Sequence, residues 1–87
     1  MLRVFVSIAH DDLEIFHLME KYASDLSQID LNAAELLRKP GEYVVSKVRK
    51  LIDKSDVVVV VWTKNSETSI WVQNEIGYTI GRGIPII

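Results

Sequence analysis

The chain has 87 residues and a formal net charge of -2, with 48% hydrophobic and 25% charged residues. This composition suits one folded, soluble domain and lies far from the low-hydropathy signature of disorder, and so small a charge excludes a domain that binds nucleic acid mainly by electrostatics. The absence of cysteine removes disulfides, thiolate nucleophiles and thiolate metal sites together, while no signal-peptide core and no bilayer-length apolar run is present, so neither a metal nor a membrane partner is expected and the default location is the cytoplasm.

The first element is read over Val4, Phe5, Val6, Ser7, Ile8 and Ala9, β-formers without strict polar alternation, as expected for a strand covered on both faces. Asp11 with Glu14 three residues later resembles a capping box, and Ile15, Leu18, Met19, Tyr22 and Leu26 then recur at helical spacing. Residues 29–37 carry a weaker pattern and are read as a second strand. Pro40 and Gly41 break regular structure, after which Val44, Val45, Val48, Leu51 and Ile52 form the stripe of a second helix. Its Lys47, Arg49, Lys50 and Lys54 read as a solvated face, since no aromatics are interleaved with them.

Residues 56–62, with five consecutive valines, are too apolar for an exposed strand and predict a central, buried one. Residues 63–68 read as a polar loop. The next helix places Val72, Ile76 and Ile80 on one face and ends at Gly81 and Gly83, before Ile84, Pro85, Ile86 and Ile87 begin a fourth strand. Strand–helix alternation of this kind builds right-handed βαβ crossovers, hence a parallel sheet with helices on both faces. Ligands of such sheets sit beyond the carboxyl ends of the strands, here residues 10–12 and 63–69.

The most informative cluster begins at Ser69. Trp71, Glu75 and Tyr78 follow at i, i+4 and i+7 spacing and share a stripe beside the apolar face, which sets a carboxylate at the edge of the core. Ser66 or Ser69 can cap this helix, and its first-turn amides favour an anion. Spacing alone leans slightly to the plain alternative, an exposed glutamate between two aromatics that close the sheet edge. His10 and His17 are isolated and receive no acid–base role. A phosphoacceptor site near Asp11 and Asp12 is excluded, because Val60, Val61, Trp62 and Thr63 offer no aspartate at the end of the third strand.

Taken in order, Val4 to Ser7, Asp11 and Asp12, Pro40 and Gly41, Ser55 and Asp56 before the valine strand, Ser69 with Trp71 and Glu75, and Gly83 to Ile86 resemble the TIR (Toll/interleukin receptor) domain family, especially its bacterial and archaeal members. The resemblance covers essentially the whole chain as a single domain, residues 1–87. It implies a flavodoxin-like α/β sheet of order 2-1-3-4-5, with Lys39, Pro40 and Gly41 in a loop that mediates association with further copies or other TIR domains. In catalytically active members the glutamate at the position of Glu75 cleaves the nicotinamide glycosidic bond of NAD. Trp71 then lines the pocket, and Ser7, Ala9, His10 and Asp11 approach the nucleotide. NAD enters as a candidate substrate, and no resident cofactor is implied.

Two other readings stay open. Glu75, Gly77 and Tyr78 followed by Gly83 and Pro85 are similar to the glutamate helix of nucleoside 2-deoxyribosyltransferases, and many TIR domains are interaction modules without catalysis. In the implied order the chain reaches only the fourth strand, with the fifth missing. The expectation is either the amino-terminal part of a longer TIR-like domain or a protomer whose apolar edge pairs with a neighbour.

Overall fold

The computed structural model describes residues 1–26, 28–34 and 45–87. Three parallel strands form a sheet of order β2-β1-β3: β1 (Leu2–Ser7), β2 (Ile29–Asn32) and β3 (Val57–Val60). β1 runs in register with β2 from Leu2 opposite Ile29 to Phe5 opposite Asn32, and with β3 from Val4 opposite Val57 to Ser7 opposite Val60. Asp56 sets the second register: its carboxylate accepts from the Arg3 amide at 2.8 Å while its own amide donates to the Arg3 carbonyl at 2.8 Å. On the other side of β3, Ile86 makes a parallel bridge to Val58, so residues 84–87 occupy the place expected of a fourth strand. The fold is the flavodoxin-like α/β arrangement, with helices on both faces.

Alternation along β1 divides the interior in two. Val4, Val6 and Ile8 meet Phe16 of α1 (Leu13–Ala23) and Ala33, while Phe5 meets Val58, and Val48 and Ile52 of α2 (Val45–Asp53), on the opposite face. Side chains at i and i+4 share a helix face, which is why Val48 and Ile52 are buried together as expected. Among the described residues, no helix is long and apolar enough to cross a membrane.

Several local expectations are corrected. The expected Asp11–Glu14 box does not form: a 3-10 turn at His10–Asp12 precedes α1, and Asp12 at its N-cap makes no side-chain cap bond because its carboxylate is engaged by Thr63 and Asn65. Of α1, only Phe16 is fully buried. Ile15, Leu18, Tyr22 and Leu26, read at helical spacing, form one wall of an open apolar groove against Val4 and Val59. β2 is shorter than residues 29–37, with Ala33 turning into the core; residues 35–37 lie outside the described residues. β3 ends at Val60 because the Ser66 hydroxyl donates to the Val61 carbonyl at 3.0 Å and turns the chain; only Val58 is fully enclosed, and Trp62 is exposed.

The segment after β3, read as loop, holds a short helix, α3 (Lys64–Glu67). Thr63 and Ser66 close a reciprocal capping box there, with serine in the place usually taken by glutamate or glutamine. α4 (Ile70–Arg82) starts at Ser69, whose hydroxyl accepts from the Val72 amide, and runs through Gly81 to a left-handed Gly83 (φ 69°). Its buried stripe is Val72, Glu75 and Thr79, whereas Ile80, expected in the core, is exposed.

Candidate functional site

The stripe of α4 points a carboxylate at the carboxyl end of β1. Phe5 and Ser7 share the sheet face that α2 and α4 cover, and the Ser7 hydroxyl donates to Glu75 Oε1 at 2.8 Å. Neither residue touches solvent appreciably: Ser7 is 0% and Glu75 4% exposed. The plain reading of Glu75 as an exposed residue is thereby overturned. A carboxyl group so far from water is costly unless hydrogen-bonded, and the Ser7 hydroxyl donates to it. One turn on, Thr79 donates its hydroxyl to the Glu75 carbonyl at 2.7 Å, which satisfies that buried hydroxyl within the helix itself.

Glu75 also lines a cleft of about 390 Å³ between α2 and α4, within the size range of small-molecule sites. Val45, Val48 and Ile52 give it an apolar wall from α2, and Gln73, Asn74 and Tyr78 a polar one from α4. Arg49 is the cation among its described lining residues. Its guanidinium lies 5.0 Å from the centre of the Tyr78 ring. Tyr78 is held in turn by Asp53, to whose Oδ1 its hydroxyl donates at 2.8 Å and Arg82 Nε donates at 3.0 Å. That bond to Asp53, with a smaller contribution from desolvation and from the aspartate charge, raises the Tyr78 phenol above its ordinary 10.0, against an opposing pull from Arg82 and Arg49.

Of the other expected site residues, Trp71 stands in the first turn of α4, one turn before Glu75, and is 40% exposed; expected to line the pocket, it is not among the described residues that line the α2–α4 cleft. Ala9 is buried at the start of the 3-10 turn, where its carbonyl accepts from the Asp12 amide at 2.9 Å. His10 and Asp11 follow it and are exposed. Lys39, Pro40 and Gly41 lie outside the described residues. Among the described residues no three histidine, aspartate or glutamate side chains gather as a metal ion would require.

One cluster was not anticipated. Asp12, 8% exposed, accepts from the Thr63 hydroxyl and, at 2.8 Å, from Asn65 Nδ2, joining the exit of β1 to the exit of β3. α3 then passes the constraint to α4, since the Ser69 amide donates to the Ser66 carbonyl and Gln73 Nε2 donates to the Glu67 carbonyl. The sequence signal was the Thr63–Ser66 spacing of a cap, which a search for glutamate or glutamine at the fourth position passes over.

A family model described as TIR domain matches residues 4–87. No curated protein matches the chain. The match spans both β1 from Val4 onward and α4, the strand and the helix that carry the Ser7–Glu75 contact, and the chain belongs to the TIR domain family.

Proposed function

We propose that this TIR domain binds a nicotinamide nucleotide in the α2–α4 cleft and cleaves its glycosidic bond, with Glu75 as the catalytic carboxylate. The supporting observation is the burial of Glu75 against Ser7 on the wall of that cleft. In the reaction the C1′–N bond breaks, its electron pair neutralises the pyridinium ring, and nicotinamide leaves uncharged. Positive charge moves to the ribosyl carbon, water adds there, and the added water loses a proton, so NAD and water give ADP-ribose, nicotinamide and a proton. A carboxylate in a water-poor site stabilises the ribosyl cation far more than it would in bulk solvent, provided it is already oriented. Ser7 supplies that orientation. Trp71 stands one turn before Glu75 on α4, and His10 and Asp11 flank the exit of β1.

The activity is assigned to the cytoplasm, to a homo-oligomer whose contacts include Lys39, Pro40 and Gly41. Nicotinamide release from NAD, measured at high protein concentration, tests the reading. Glu75→Gln should abolish release while the circular dichroism spectrum is kept. Undiminished release from that variant, or none from the parent chain, overturns it. A purely assembling module predicts a defined oligomer with no release, and a deoxyribosyltransferase predicts a glycosylated Glu75 from deoxynucleosides.

A further inference from the structure

The cleft carries opposite charges on its two helices, Glu75 from α4 and Arg49 from α2. Arg49 is set apart from its neighbours by its partners. Asp53 is shared by Tyr78 and Arg82, and Arg49 makes its contact with the Tyr78 ring but no ion pair among the described residues. The ring that holds it is anchored through its hydroxyl, so the platform does not turn freely. A guanidinium over an aromatic face gives up none of its N–H donors to the ring, so they stay available to grip two oxygens of one anion.

A ligand spanning this cleft must therefore place an electron-poor or hydroxyl-bearing part near Glu75 and an anionic part near Arg49. A ribosyl phosphate has that order of groups: the sugar carbon that develops positive charge and its hydroxyls at one end, the phosphate at the other. The apolar wall of Val48 and Ile52 between the helices disfavours charge in the middle of the ligand.

We propose that Arg49, carried on the Tyr78 ring, is the phosphate subsite of the α2–α4 cleft, taking the phosphate of a ligand whose sugar faces Glu75. This rests on the assignment of Glu75 made above. The subsite makes one phosphate the minimum anionic feature of the ligand and sets the direction in which a nucleotide enters.

Nicotinamide mononucleotide and nicotinamide riboside differ by that phosphate alone and separate the two assignments. Calorimetric titration of the 87-residue chain should show the mononucleotide bound roughly tenfold or more tightly than the riboside, the scale of one charge-assisted contact. Arg49→Gln should bring the mononucleotide to the level of the riboside and leave the riboside unchanged. Arg49→Lys, which keeps charge but not the fork, should recover part of the difference, and Tyr78→Leu should lose part of it. Equal weakening of both ligands by Arg49→Gln, no weakening of either, or failure of the parent chain to bind the mononucleotide overturns the subsite. An Arg49-dependent phosphate preference without nicotinamide release supports the subsite and sinks the catalytic assignment alone.

Discussion

Ser7 and Glu75, 68 positions apart, share a hydrogen bond of 2.8 Å between two side chains that the fold almost wholly encloses. The serine ends the first strand and the glutamate sits in the second turn of the last helix, so the contact ties the beginning of the fold to its end.

Ser7→Ala removes the hydroxyl that donates to Glu75 Oε1. A lost hydrogen bond to a charged group costs about 1.5–3 kcal/mol, so nicotinamide release should fall roughly tenfold to a hundredfold. Urea denaturation of the same variant should show a loss of about 1–3 kcal/mol. Wild-type release together with wild-type stability would show that the bond holds nothing in place.

Asp12→Ala cuts both bonds that join the exits of β1 and β3, at a site with little access to water. We expect a loss of about 2–3 kcal/mol by denaturant titration. Asp12→Asn keeps one acceptor oxygen for Asn65 Nδ2, so it should lose less than Asp12→Ala. Equal losses from the two variants would contradict the arrangement.

Two glycines of one helix end should respond with opposite signs. Gly81 lies within α4 and a methyl group there meets nothing within 4 Å, so Gly81→Ala should stabilise by about 0.5–1 kcal/mol. Gly83 has equal space but φ +69°, so Gly83→Ala should destabilise by about 1 kcal/mol, all of it from the backbone. Paired melting curves decide both.

Tyr78 keeps its proton to higher pH when folded than its ordinary 10.0, chiefly because Asp53 accepts its hydrogen bond. Above pH 10.0 the unfolded chain has lost a proton that the native state retains, so stability falls as pH rises through the folded value and is fully present below the unfolded one. The difference between wild type and Tyr78→Phe should therefore be flat at neutral pH and shrink through the alkaline range. A difference that grows with pH would mean that Arg49 and Arg82, not Asp53, govern the phenol.

Much of the fold was legible in short patterns. The valine run gave β3, the i and i+4 pair Val48 and Ile52 gave the buried side of α2, and the run from Val4 to Ile8 gave a strand enclosed on both faces. The stripe of α1 was legible as apolar, and the helix seats one flank through Phe16 and leaves Leu18 and Tyr22 at an open groove. For α4 the apolar count favoured Val72, Ile76 and Ile80, yet rotation of the helix against β1 buried Glu75 and Thr79 and exposed Ile80. The polar stretch after Trp62 looked like loop because α3 is a single turn, too short for periodicity to register.

Order of elements, parallel pairing and family are consequences of local pattern, because strand and helix periods report which residues of an element share a face. Whether Glu75 is a solvated charge or a buried one is not a property of its own helix. It depends on how far α4 turns toward β1 when Val72 enters the core, and on Ser7 ending the strand on the face that α4 covers. Nor does any local pattern bring Asp12 to Asn65, or leave Arg49 on the Tyr78 ring while Asp53 pairs with Arg82. Those partnerships arise when elements distant in the chain pack together, since hydrogen-bond partners for enclosed polar groups are chosen by proximity in space.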